Sequence, residues 1–523
     1  MRPFVVAVFI AASLAGAAQQ QTRLSTDIID TYTSMIASKP DNCDLYLSRA
    51  WEYLSQGLTS PALSDLNDAL RLCPKGDKDL RFEILSQRAS VYEIQMDYTA
   101  ALADLEAAAA LKPDVPSLTV ARARIFTGLG RYREARDEYN RYRRVNPRDA
   151  STLFGLAKVS ALDGDTDAAL AYANDAVEIA PRAGKSYLSL TDLYILLGRS
   201  DEAITACIRA IGCNDDASGD ALQKLVDMSR RSFPGVTGGL DKAINDNPSA
   251  GILYYIRAAI AQDHEHHASA LADYDVIDGS GPFAGGALAS SIAESLLALD
   301  LNDEALQVLR KAPAVMHDSE WHTLRAIALH RLGRNEDALT EIDSALALDT
   351  DNVDAMEQRA RILIALNRAA EASPQLAAAI MPEPSHRPLL YLFRSTVAPE
   401  SLCDNLIEGA ADLVFDPDDP ASLRGFALLA LGKTDEATVW ANSLTRLSTA
   451  GDGVAMFTAA CVLARADKPD EALNMLEAAI AAGYDNRHAV LSDTTPLISL
   501  EPLRSHKRFT SVTAPLQKSV KTQ

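Results

Sequence analysis

The densest run of potential metal ligands in the chain is Asp263-His264-Glu265-His266-His267. Imidazole nitrogens and carboxylates are the donors a zinc ion takes, but a helix-borne HExxH site needs its second histidine four residues after the first. Position 268 is alanine. The run is therefore expected as a solvated turn, and no metal or other cofactor is implied. Six cysteines (Cys43, Cys73, Cys207, Cys213, Cys403 and Cys461) contain no CxxC spacing and are too few for a disulfide framework in 523 residues. GxSxG, GxxxxGK[ST] and GxGxxG are all missing, and no Ser, His and Asp group together in a segment of their own. The expectation is a protein that is not an enzyme.

Charge is the other chemical resource. Fifty Lys and Arg stand against 71 Asp and Glu, a formal charge of −21, which speaks against general binding to nucleic acid or anionic membranes. One stretch runs against this trend: nine arginines fall between Arg122 and Arg148, opposed only by Glu134, Asp137 and Glu138. They form either a solvated face offset by acidic neighbours or a docking face for an acidic partner.

The elements that position these groups follow from alanine. The chain has 87 alanines against 3 Trp, 12 Phe and 16 Tyr, so close helix packing replaces a large aromatic core. Ala50 is followed by Ala62, Ala69 and Pro74, Ala89 by Ala101, Ala108 and Pro113, and Ala157 by Ala169, Ala176 and Pro181. Ala123, Ala135, Tyr142 and Pro147 keep the same spacing. The period is 34 residues from Pro113 to Pro147 to Pro181, and Pro248 to Pro282 repeats it. Each unit reads as two helices joined by a turn, as in Ser117 to Thr127, Gly128-Leu129-Gly130-Arg131, then Tyr132 to Val145, with the proline ending the second helix.

This register resembles the tetratricopeptide repeat family, whose 34-residue helix-turn-helix units carry small residues at these places, an aromatic in the first helix and a terminal proline. Tyr53, Tyr92, Phe126 and Tyr194 match the aromatic, and Gly130, Gly198, Gly333 and Gly432 recur at or near the turn. The resemblance implies an all-α solenoid of about twelve helix-turn-helix repeats that binds a protein or peptide partner in a concave groove lined by first helices. There Ser90, Arg124, Lys158 and Asp192 recur at intervals of 34 and should stack as one polar column. The two-lysine, two-asparagine clamp of chaperone-binding members is missing, with Leu47, Trp51 and Ser86 at some of its places. The alternative is recognition of an envelope polysaccharide or peptidoglycan, which needs aromatic platforms; Trp51 and Phe154 are the candidates.

The organisation expected is a half repeat over 19–42, repeats over 43–216, a degenerate repeat or joint over 217–250, repeats over 251–385, a degenerate repeat over 386–419, repeats over 420–484 and a capping tail over 485–523. Pro234-Gly235 and Gly238-Gly239 are expected to interrupt the second helix of 217–250. Arg2, the apolar run Phe4 to Leu14 and the small residues around Ala15, Ala17 and Ala18 read as a signal peptide over 1–18, which directs the chain to the periplasm or outside the cell. No later stretch reaches 18 apolar residues, so no transmembrane segment is expected. Cys43 opens one hairpin and Cys73 closes it, so in an oxidising compartment they are the disulfide candidates.

Overall fold

The computed structural model describes residues 28–113, 115–277, 288–368, 371, 424–430, 432–447, 453–492 and 500–517. The signal-peptide region and residues 386–419 lie outside them. Among the described residues the regular structure is entirely helical, and no helix is long and apolar enough to cross a membrane. The chain forms two compact units that divide between Met228 and Ser229.

In the first unit a short helix α1 (28–38) precedes the hairpins α2 (Cys43–Ser55) with α3 (Thr59–Leu72), α4 (Lys78–Ile94) with α5 (Tyr98–Leu111), and α6 (Pro116–Gly128) with α7 (Tyr132–Val145). They are followed by α8 (Ala150–Leu162) with α9 (Thr166–Ile179), α10 (Gly184–Leu196) with α11 (Ser200–Gly212), and then α12 (Ala217–Arg231), which runs into the second unit. The α6–α7 hairpin has the bounds its glycines and proline predict. Helices α3, α5, α7 and α9 each end two residues before Pro74, Pro113, Pro147 and Pro181. Asn42, Asp77, Asp97, Asp149 and Asp165 start their helices by accepting backbone N–H bonds from the first turn.

The alanine register is the packing surface. Ala62, Ala69, Ala101, Ala108, Ala123, Ala135, Ala157, Ala169 and Ala176 are completely inaccessible. A larger side chain at any of them would force neighbouring helices apart, typically at about 1–3 kcal/mol. Seven residues after each first-helix small residue the backbone turns left-handed, at Gly57, Gly130, Gly164 and Gly198 with φ between 70° and 87°, and at Met96 with φ 60°. Glycine enters that region without steric cost and methionine does not.

The second unit holds α13 (Phe233–Asp246), α14 (Gly251–Asp263) with α15 (His267–Val276), α16 (Ala289–Ala298) with α17 (Asn302–Lys311), α18 (Ser319–Arg331) with α19 (Asn335–Leu348), and α20 (Val353–Ala365). Beyond it come α21 (Arg424–Ala430) with α22 (Thr434–Leu447), α23 (Gly453–Arg465) with α24 (Pro469–Ala481), and the short α25 (Phe509–Thr513). One core surrounds buried Trp321, whose Nε1 donates to the Leu309 carbonyl at 3.1 Å. Another gathers Phe426, Trp440, Phe457 and Leu476 with the tail residues Leu500, Leu503, Phe509 and Val512. The expected interruption at Pro234-Gly235 does not occur. Pro234 lies in the first turn of α13, where its missing N–H costs nothing, and Ser232 caps that turn, so the helix runs unbroken through Gly238-Gly239.

Candidate functional site

Ser90, Arg124, Lys158 and Asp192 lie on first helices α4, α6, α8 and α10, and all four side chains are exposed. Between α4 and α6 opens a cavity of about 240 Å³ with an apolar floor of Phe82, Ala89, Leu105, Leu118 and Ala121. Ser86, Ser90, Glu93, Ser117 and Arg124 are its polar lining. The Ser86 and Ser90 hydroxyls donate to carbonyls of their own helix, those of Phe82 and Ser86, which leaves their oxygens free to accept. Arg124 is not a free cation: its Nε and Nη2 donate to both carboxylate oxygens of Glu93 at 2.8 and 2.9 Å. That bond, against the opposing effect of burial, raises the guanidinium pKa further. Asp192 is likewise closely paired, with Lys224. Trp51 is 52% exposed, whereas Phe154 is half-buried between two hydrophobic clusters and serves as packing.

Cys43 and Cys73 meet at the same end of the first hairpin, but as two free buried thiols, not as a disulfide. Burial, with Cys43 alongside, pushes the Cys73 thiol up and keeps it protonated.

The arginine-rich stretch is partly neutralised by acids. Arg122 reaches Glu138 at 2.8 Å, Arg136 reaches Asp163 at 2.8 Å, Arg131 pairs closely with Glu134, and Arg143 lies over the Tyr172 ring at 5.8 Å. Arg133, Arg144 and Arg148 are exposed and have no ion pair among the described residues. A second cavity, of about 990 Å³, lies beside α7 and mixes Arg141, Arg144 and Arg148 with Asp137, Asp175 and Glu178, so its lining has no one sign.

One recurrent pattern escaped the sequence reading. The residue before the first-helix alanine is an arginine in five described hairpins, and it meets an acid sixteen residues later on the second helix: Arg49–Asp65, Arg88–Asp104, Arg122–Glu138, Arg257–Asp273 and Arg325–Glu341. Arg49 and Arg88 grip both carboxylate oxygens at 2.7 Å and also extend to Thr33 and Asn67 of the preceding element. The constant spacing of sixteen, visible beside the alanine register, was the available signal.

The run 263–267 also departs from expectation. His267 is 4% exposed, the His264 and His266 rings lie tilted against Phe233 with centroids at 4.6 and 4.5 Å, and Glu265 takes the left-handed turn position with φ 60°. Asp263 stays exposed, but His264, Glu265 and His266 are partly buried and His267 is buried, because distant chain covers the turn. Among the described residues no group of three or more His, Cys, Asp or Glu is placed to hold a metal ion.

Consecutive helical hairpins in one register, each packing its alanines on the next, define an all-α solenoid of helix-turn-helix repeats. The tetratricopeptide repeat family model matches residues 86–143, 120–184 and 323–386, about a third of the chain, so these stretches read as tetratricopeptide repeats. No curated protein matches it. Among solved structures it is similar to YrrB, described as a TPR protein with an unusual peptide-binding site, at 18% identity and TM-score 0.26 over 37% of this chain and 97% of that one. A tetratricopeptide repeat protein from Parabacteroides merdae matches at 15% identity and TM-score 0.27 over 61% and 98%. The C-terminal part of a TPR protein from Cytophaga hutchinsonii matches at 11% and 0.31 over 46% and 97%.

Proposed function

We propose that the chain is an exported, non-enzymatic scaffold or adaptor that binds a protein or peptide segment across its first helices, in the periplasm or outside the cell. The observation that carries the binding reading is the α4–α6 cavity. It offers an apolar floor for a side chain, hydroxyl acceptors for peptide N–H groups, and an Arg124–Glu93 pair at its edge. Because Glu93 already occupies the guanidinium, an acidic group of the partner gains Arg124 only by displacing an internal carboxylate, which favours a closely fitting partner over anions in general. Export rests on the residue pattern of 1–18.

Photo-crosslinking residues placed at Ser90 and Lys158, and separately at Arg133 on α7, test the surface in cell-envelope extract. Adducts with the same protein from both first-helix positions, and an affinity for it that falls about tenfold in Arg124→Ala, are expected. Adducts from Arg133 alone would overturn the choice of face.

A further inference from the structure

The turns that follow α14 and α16 are covered by chain about 200 residues further on. Asp485 accepts from the backbone N–H groups of His267 at 2.7 Å and Ala268 at 2.9 Å, and its own N–H donates to the Glu265 carbonyl at 3.1 Å. It thereby caps α15, whose own cap residue, His266, makes no such bond. Asn486 donates to Glu265 Oε2 at 2.6 Å, and the same oxygen meets His267 Nε2 at 2.9 Å. Gly483 lies so close to His266 that a Cβ there would come within 2.2 Å of the ring. At the next turn His488 Nδ1 lies 3.2 Å from Asp300, and Ser492 donates to the same carboxylate at 2.8 Å.

The receiving residues carry a second, independent mark. Glu265 and Asp300 adopt φ of 60° and 63° at the turn position that is glycine in Gly57, Gly130, Gly164, Gly198, Gly333 and Gly432. Each therefore presents a carboxylate at a turn where glycine has no side chain. Both acids are held by residues of 485–492.

We propose that residues 483–492 are a clasp: they fasten the last hairpin of the second unit to the turns of the α14–α15 and α16–α17 hairpins, and the unit has a fastened and an unfastened state. The groups beneath the clasp make it sensitive to protons. Burial works against a charged His267, but Glu265, with Asp485 and Glu294 also facing it, outweighs burial and sets its pKa above the ordinary imidazole value. Of these acids only Asp485 belongs to the clasp, so the hold that a charged His267 lends across the contact is its attraction to Asp485, present below the ordinary imidazole value and lost as pH rises through the raised one. In acid the contributions oppose each other. Burial resists ionisation of Glu265, but His267 and Asn486 keep it below the usual carboxylate range, and His488 and Ser492 hold Asp300 well below it, so both lose hold as pH falls. Partly buried His266, whose pKa burial lowers despite nearby Asp485 and Glu265, adds to that loss. Asp485, raised by burial, gains instead.

Spin labels introduced as non-natural amino acids at exposed Asp303 and Glu471 of the full-length protein report whether the two elements are fastened. The wild type should give one narrow distance at pH 7. Asp485→Ala combined with Asn486→Ala should give a longer, broader distribution, with the unfastened fraction up at least about tenfold and helical circular dichroism unchanged. Raising the wild type to pH 10 should move it toward that distribution, and His267→Gln should remove the movement. A narrow distance retained in the double variant, helix content lost together with the distance, or a wild-type distance fixed from pH 7 to 10 would each overturn the clasp.

Discussion

Replacing Arg88 by alanine measures what the arginine–acid pairs within the hairpins contribute. Asp104 is buried, with only 9% of its side chain exposed, and receives Arg88 Nε and Nη2 at 2.7 Å on its two oxygens. Arg88 also bonds Asn67 at 2.8 Å and lies over the Tyr92 ring at 5.8 Å. Without the guanidinium a carboxylate remains buried with no cation, a situation that costs about 3 kcal/mol, and the lost ring contact adds about 0.5 kcal/mol. Because repeat arrays open locally, the assay is amide hydrogen exchange across α4 and α5. A loss of about 3.5 kcal/mol accelerates exchange there about 370-fold. Replacing both partners with leucine should return exchange to within about tenfold of wild type, since apolar packing substitutes well for a buried pair. The exposed Arg71–Asp68 pair, at 66% and 40% side-chain exposure, is the control, and Arg71→Ala should leave exchange unchanged. If Arg88→Ala behaves like Arg71→Ala, or the double variant is no better than the single one, the pairs do not hold the hairpins in the way their geometry indicates.

Three further outcomes follow from the packing of the hairpins and thiols. Met96→Gly should stabilise the α4–α5 hairpin by about 1 kcal/mol, because Met96 is exposed and left-handed, and Gly130→Ala at the equivalent turn should destabilise α6–α7 by a similar amount; hydrogen exchange reads both. Gly155→Ala should destabilise the α7–α8 contact by about 1–3 kcal/mol, since the new methyl would lie 2.4 Å from the buried Tyr139 ring, and a local exchange rate equal to wild type would contradict that packing. In the reduced, folded protein, alkylation followed by peptide mass spectrometry should find Cys213 modified before Cys43, Cys73, Cys207 and Cys461. Those four are buried, and burial pushes the Cys207 thiol up to about 12, so early labelling of Cys207 would show that α11 opens readily.

The hairpins were legible because the constraints that make them are local and steric. An alanine wherever two helices touch, a proline two residues past the second helix and a glycine at the left-handed turn each leave a mark at fixed spacing, so α6 and α7 could be bounded from sequence. The exposure of the four polar residues was legible for the same reason: residues 34 apart occupy equivalent places, and Ser90, Arg124, Lys158 and Asp192 all lie exposed on first helices. Their partners were not, because Glu93 and Lys224 sit 31 and 32 residues from Arg124 and Asp192 and follow no repeat mark of their own. That Phe154 is half-buried was not legible, because the sequence places it on a helix but does not say whether a neighbour covers the ring. The continuity of α13 was missed by treating Pro234 as a breaker irrespective of position, although proline is at home in a first turn.

The clasp escaped for a deeper reason. In a repeat protein each hairpin specifies its neighbours, so the periodic part of the sequence encodes only contacts between adjacent units. A bond between Asp485 and the turn at His267 spans 218 residues and has no period to announce it. It shows instead as a departure from the register, in Glu265 and Asp300 standing where other hairpins carry glycine. Met96, Asn367 and Asp467 occupy the same left-handed position. Met96 is 73% exposed, so the position by itself does not mark a contact. What distinguishes Glu265 and Asp300 is that both side chains are engaged by one distant segment, and a non-glycine turn residue becomes informative only when its side chain chemistry and its coverage agree.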